Sequence, residues 1–172
     1  GDDLIWKTAD AEEVIATKED IRLRGRHNRE NVLAAVCGAK LLNVRTDPMQ
    51  TAIQKFTGLP FRLQLVAANK DNNRFWNDSC ATAPAATIAA INTFDEPVIL
   101  MAGGSEKNVE YTELSYAISK NKNVKAVILM GPTGKIIQNE IGSEKKEVHL
   151  VKDMEESFEV LGKIITSGDN VL

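Results

Sequence analysis

The chain has 172 residues, of which 43% are hydrophobic and 26% charged, and carries a net charge of −3. That balance suits a globular protein with a core of its own and argues against disorder. Without a basic excess, nucleic acid is not an expected partner. No apolar run approaches the roughly 20 residues of a membrane-spanning helix, and the N-terminus carries no signal-peptide pattern. No membrane role and a cytoplasmic location are therefore expected. Cys37 and Cys80 are too few for a disulfide framework, and Cys37, among apolar residues, reads as a small core residue. His27 and His149 lack ligand spacing, so no protein-only metal cage is expected.

In chain order, Leu4-Ile5-Trp6 and Ile21-Arg22-Leu23 read as short strands, and an isolated pair of strands is marginal in water. From Asn28 to Leu42, apolar residues at positions 32, 33, 36, 37 and 41 fall at helical spacing, with Asn28 as a credible N-cap. Asp47-Pro48 opens a second helix through Phe56. Asn28 and Asn31 sit one turn apart at the start of the first helix. They read either as a cap and a solvated amide or as a pair that bonds the edge of a purine-like base.

Thr57-Gly58-Leu59-Pro60 is the natural boundary, with glycine ending the helix and proline forcing extended backbone before it. Phe61 to Ala67 predicts a strand with Leu63 and Leu65 on one face, returning through a turn at 69–73 to Arg74–Asn77. Arg62 reads as a surface arginine or as a phosphate clamp at the interdomain seam. The pattern then alternates strands and helices. Pro97–Ala102, Val124–Met130, Val148–Val151 and Val171–Leu172 read as strands. Pro84–Asn92, Val109–Lys120, Thr133–Ile141 and Met154–Ile165 read as helices. Continuous apolar strands ending in glycine predict an α/β fold with a mostly parallel, Rossmann-like three-layer sheet.

Two strand-to-helix turns carry the polar candidates. Asn77-Asp78-Ser79-Cys80-Ala81-Thr82 leads into an alanine-rich helix. Asp78 could accept from sugar hydroxyls, and Thr82 could cap the helix or touch a ligand. Gly103-Gly104-Ser105-Glu106-Lys107 follows the next strand, placing Lys107 at the same sheet edge, where open α/β sheets bind ligands. It lacks the spacing and Lys-Ser/Thr ending of a P-loop, and no P-loop occurs in the chain.

Four stretches, Gly25-Arg-His-Asn28-Arg-Glu-Asn31, Gly58-Leu-Pro-Phe-Arg62, Asn77-Asp-Ser-Cys-Ala-Thr82 and Ala102-Gly-Gly-Ser-Glu-Lys107, occur in one order that resembles the second half of a Mur ligase of the MurD type. Such enzymes join D-glutamate to UDP-MurNAc-L-alanine in peptidoglycan synthesis. The resemblance covers nearly the whole chain. It implies that residues 1–58 are the C-terminal end of a central ATP-binding domain, and that 59–172 are an amino-acid-binding C-terminal domain truncated at its end. The implied reaction is an ATP-dependent amide synthesis through an acyl phosphate, supported by Mg2+ whose ligands, with the UDP-sugar domain and P-loop, lie outside this chain. Such a fragment is expected to be inactive alone.

The same resemblance places Asn28 and Asn31 against adenine, Arg62 against the ATP phosphates and Asp78 against the ribose hydroxyls. It places Thr82, Lys107 and the Cys80 position around D-glutamate, and assigns no catalytic residue or metal ligand here. The family's usual run is Asn-Asp-Ser-Lys-Ala-Thr-Asn, whereas this chain has Cys80 for the lysine and Ala83 for the last asparagine. Relatives often carry histidine at the Phe61 position and aspartate at the Ser105 position. Cys80 supplies no fixed positive charge to an acidic substrate. Two alternatives follow, a non-catalytic nucleotide-binding module and a Mur-type ligase for a different amino acid.

Overall fold

A computed structural model describes residues 3–106, 108–141 and 146–172, and its backbone divides into two units, Gly1–Gly58 and Leu59–Leu172. In the first, β1 (Leu4–Lys7) and β2 (Glu12–Ala16) form an antiparallel hairpin. Its turn is closed by Thr8, whose N–H donates to the Ala11 carbonyl and whose Oγ1 accepts from the Ala11 N–H. Two helices follow, α1 (Arg26–Leu41) and α2 (Thr46–Lys55). Leu4, Ile15, Ala16, Ile21, Val36 and Met49 make a small shared core.

Four expectations fail in this unit. Ile21–Leu23 is not a strand; the chain pairs β1 with 12–16 instead, and Ile21 serves as a core plug. Asn28 is not the N-cap, because α1 starts three residues earlier, at Arg26 behind Gly25, whose φ of 93° suits glycine. Cys37 is exposed, since α1 buries Val36 alone. Gly58 does not end α2, which stops at Lys55 with Phe56 as C-cap.

The second unit holds a six-stranded sheet in the order β3-β4-β8-β5-β6-β7. Its strands are β3 (Gln64–Ala68), β4 (Arg74–Asn77), β5 (Val98–Gly103), β6 (Val124–Met130), β7 (Glu147–Val151) and β8 (Asn170–Val171). Only β3 runs antiparallel to its neighbour; the other pairings are parallel. The connecting helices are α3 (Pro84–Ile91), α4 (Thr112–Lys120), α5 (Gly131–Ile141) and α6 (Met154–Ile164).

Alternation along β5 and β6 explains the layers. Val98, Leu100, Val127 and Leu129 point into a core with Ile91 of α3, Leu114 and Ile118 of α4 and Ile137 of α5. Ile99, Ala126 and Ile128 point the other way, against Leu161 of α6. Helices thus cover both faces of a mostly parallel sheet, the three-layer arrangement that near-continuous apolar strands require. Fully burying one such side chain contributes about 1.5–3 kcal/mol.

Three boundaries in this unit differ from the sequence pattern by two residues or more. α4 begins at Thr112 rather than Val109, and α5 begins at Gly131, directly at the end of β6. β3 begins at Gln64, because Leu63 is left-handed (φ 45°). Leu63 is buried but Leu65 is half exposed, so the two do not share a buried face.

Candidate functional site

The carboxyl ends of β4, β5 and β6 lead into the segments Asp78–Thr82, Gly104–Glu106 and Gly131–Thr133, all at one edge of the sheet. Ligands bind at this edge in open α/β sheets. Lys107 lies outside the described residues.

Arg62, Asp78 and Cys80 are brought together in a bracket that joins the approach to β3 with the turn after β4. Asp78 Oδ1 accepts from the Leu63 N–H at 2.8 Å. The Cys80 N–H donates to the Phe61 carbonyl at 3.1 Å. Arg62 Nη1 donates to the Cys80 carbonyl at 2.8 Å. Gln64 Oε1 accepts from the Phe61 N–H at 3.0 Å. Within the turn, Asn77 Oδ1 accepts from the Ser79 N–H at 3.0 Å, and the Ala81 N–H donates to the Asp78 carbonyl at 2.7 Å.

These bonds hold unusual backbone. Phe61 (φ 62°) and Leu63 (φ 45°) are both left-handed and neither is glycine. Each such residue costs roughly 1–3 kcal/mol. A net hydrogen bond contributes about 1 kcal/mol, and one to a charged group about 1.5–3. Three bonds across the bracket, two of them charge-assisted, together with the Gln64–Phe61 bond on one side, are of the size needed to offset the strain. The bracket therefore presents Arg62 in a fixed place between two strained residues.

The Arg62 side chain is exposed and, among the described residues, spends only Nη1. Its remaining N–H groups fit the oxygens of a phosphate. Asp78 spends Oδ1 on Leu63, and its Oδ2 takes no hydrogen bond from a described residue, which fits a hydroxyl donor. Thr82 does not cap α3. Ala83 occupies that position without a side-chain cap bond, and Thr82 stays exposed with its N–H on the Cys80 carbonyl. Cys80 is half-buried, and its backbone carbonyl accepts from Arg62.

Asn28 and Asn31 belong to the other unit. Asn28 is half-buried and its Nδ2 donates to the Arg24 carbonyl at 2.7 Å. This fixes the amide just inside the start of α1 and leaves its Oδ1 as an acceptor. Asn31 is exposed.

The turn after β5 is locked to the start of α5. The Gly104 N–H donates to the Met130 carbonyl, and the buried Thr133 donates its N–H to the Gly104 carbonyl and its Oγ1 to the Ser105 carbonyl. A Cβ on Gly103 would stand 2.1 Å from the Met130 oxygen, so this position excludes any side chain. Gln64 and Thr133 are absent from the sequence reading of the site. Gly-Pro-Thr-Gly after an apolar strand is a signal that could have flagged Thr133 as part of a βα turn. Nothing in Phe-Arg-Leu-Gln announces left-handed backbone.

Among the described residues, no group of three or more His, Cys, Asp or Glu side chains could hold a metal ion. No helix there is long and apolar enough to cross a membrane. A groove of about 670 Å³ lined by Asn69, Phe75, Phe158 and Leu161 lies against α6 and contains none of the candidate residues.

A mostly parallel sheet covered by helices on both faces, with a polar bracket and two βα turns at its carboxyl edge, defines a doubly wound α/β domain. Residues 61–172 match the family model described as Mur ligase, glutamate ligase domain, and the chain belongs to that family. It is 42% identical over 134 residues to the UDP-N-acetylmuramoylalanine–D-glutamate ligase of a Roseiflexus species, covering 77% of this chain and 28% of that protein. It is 34% identical to the enzyme of the same name from Symbiobacterium thermophilum, over 99% of this chain and 37% of that protein. The chain thus spans about a third of the length of the curated relatives it matches. The crystal structure of UDP-N-acetylmuramate-alanine ligase from Thermotoga maritima shares the fold, with a TM-score of 0.72 and 18% identity over 94% of this chain and 36% of that one.

Proposed function

We propose that this chain is the C-terminal part of an ATP-dependent ligase that joins D-glutamate to UDP-MurNAc-L-alanine through an acyl phosphate, in the cytoplasm, during peptidoglycan synthesis. The observation that carries this reading is the bracket around Arg62, which lies inside the segment matching the glutamate ligase domain. The relatives' shared name supplies the substrate pair.

On this reading, residues 1–58 close an ATP-binding domain and 59–172 form the amino-acid-binding domain. Asn28 and Asn31 meet the adenine, Arg62 the phosphates and Asp78 the ribose. Thr82, Lys107 and the Cys80 position face D-glutamate. When bound, ATP supplies the phosphoryl group that activates the acceptor carboxylate. This chain's own contribution is placement and charge, since Arg62 meets negative charge that shifts as the phosphoryl group moves. The ligands of Mg2+ lie elsewhere in the polypeptide on this reading.

A second reading rests on Cys80, whose backbone joins the bracket while its side chain brings no cation. That reading is a ligase of the same type for a different amino acid. The test is amino-acid-dependent release of ADP by the complete polypeptide, supplied with UDP-MurNAc-L-alanine and each candidate amino acid. D-Glutamate is expected to give turnover, and the 172-residue chain alone none. Turnover with another amino acid in place of D-glutamate establishes the second reading. Turnover by the isolated chain overturns the first.

A further inference from the structure

We propose that Gln64 is the positioning residue for Arg62, acting through the backbone rather than touching a ligand. The inference rests on the assignment of Arg62 to the ATP phosphates for its functional half, and on geometry alone for its structural half.

Three consecutive N–H groups lead into β3, and each has its own acceptor. The Phe61 N–H goes to Gln64 Oε1 at 3.0 Å. The Arg62 N–H goes to the Leu59 carbonyl at 3.3 Å. The Leu63 N–H goes to Asp78 Oδ1 at 2.8 Å. The two flanking residues are the left-handed ones, and both are bonded by side chains, Gln64 on one side and Asp78 on the other. Phe61 is half exposed and Leu63 is buried in the core. Burial thus helps to hold Leu63, while the Phe61 side chain gains little from its surroundings. Gln64 is the side-chain bond that keeps Phe61 out of the ordinary β region.

If Phe61 relaxed, its carbonyl would leave the Cys80 N–H, and the Arg62 guanidinium would lose its register with the Cys80 carbonyl. Gln64 therefore decides where the unspent donors of Arg62 point. A guanidinium matched to phosphate oxygens works through fixed geometry, and small misplacements of a positioning group are costly to rate.

The test has two arms. In the 172-residue chain, NMR of the Arg62 side chain and hydrogen exchange of the Phe61 amide are compared among wild type, Gln64→Leu and Gln64→Glu. Gln64→Leu is expected to speed Phe61 exchange at least tenfold and shift the Arg62 signals, whereas Gln64→Glu keeps an acceptor and restores both. Unchanged Arg62 signals in folded Gln64→Leu would overturn the proposal.

In the complete ligase, Gln64→Leu is expected to raise the KM for ATP about tenfold with a smaller change in the KM for D-glutamate. Gln64→Glu should recover most of that loss, and Gln64→Leu should add nothing in an Arg62→Ala background. An equal further loss in that background contradicts the proposal. If Arg62→Ala itself leaves the KM for ATP unchanged, the assignment of Arg62 to phosphate fails, and the first arm alone decides whether Gln64 positions it.

Discussion

The two units use their apolar residues differently. In Leu59–Leu172, β5 and β6 bury side chains on both faces of the sheet, so Val98, Ile99, Val127 and Ile128 are each fully covered by helices of the same unit. In Gly1–Gly58, the 16-residue helix α1 buries Val36 alone and leaves Leu33, Leu41 and Leu42 in solvent, the last at 80% exposure. Its core is closed by six buried residues over a two-stranded hairpin. The second unit builds its own core; in the first, Lys40 of α1 is also tied to Glu13 of β2 and Thr46 of α2. Stability should follow the same division.

The largest expected effect comes from the core. Leu129→Ala, at a side chain fully buried between α3–α5 and the sheet, should cost about 4 kcal/mol, near the upper part of the range for such truncations. Met49→Ala in the first unit is expected to cost about 2 kcal/mol, at the lower end, because its sparse surroundings collapse more easily. Urea denaturation in single-tryptophan backgrounds, Trp6→Phe to follow the second unit through Trp76 and Trp76→Phe to follow the first through Trp6, separates the two. Equal losses would break the comparison.

Glycine substitution gives opposite signs. Gly103→Ala puts a Cβ against the Met130 carbonyl at 2.1 Å with φ at 150°, and a cost on the order of 3 kcal/mol is expected from strain and displaced β6 backbone. Gly38 sits mid-helix in α1 with nothing within 4 Å of its Cβ position. Gly38→Ala should therefore stabilise the first unit by about 0.5–1 kcal/mol. Thermal melts of the two variants check both signs.

The smallest effect is a pH response of the first unit. Glu13 is held below the ordinary carboxylate range by the Lys40 ammonium, then by the Thr46 hydroxyl. Asp20 is held down by the Thr17 N–H, then by Gln54 and the Thr17 hydroxyl. For carboxyls depressed in the folded state, the contribution is present above their unfolded values and is lost as pH falls through the folded ones. The first unit should therefore weaken as pH falls below roughly 4, and Glu13→Gln should flatten part of that slope. A slope unchanged by Glu13→Gln would remove Glu13 from the account.

The legible part of this molecule was the part written in periodicity. Val124–Met130 and Pro97–Ala102 are apolar runs of strand length that end at glycine, and their spacing with intervening helices points to a parallel sheet. Arg62, Asp78 and Cys80 were legible as a group through ordered motifs. The bond from Leu63 N–H to Asp78 spans 15 positions, and no local pattern encodes it. Left-handed Phe61 and Leu63 run against their intrinsic preference, so the pattern extended β3 three residues too far. Cys37 reads as core because its neighbours are apolar, yet α1 faces its small core with Val32, Val36 and Ala39. Ile21 was read as a strand residue because a plug in a small core and a strand residue look alike in a three-residue window.

The most direct measurement is ATP-dependent incorporation of labelled D-glutamate into UDP-MurNAc-L-alanine by the complete polypeptide, compared with its Arg62→Ala variant. The account predicts product from the wild type and a loss of at least a hundredfold in kcat/KM for ATP in the variant, corresponding to about 2.7 kcal/mol. Nucleotide binding without product by the wild type, or equal turnover by Arg62→Ala, would contradict it.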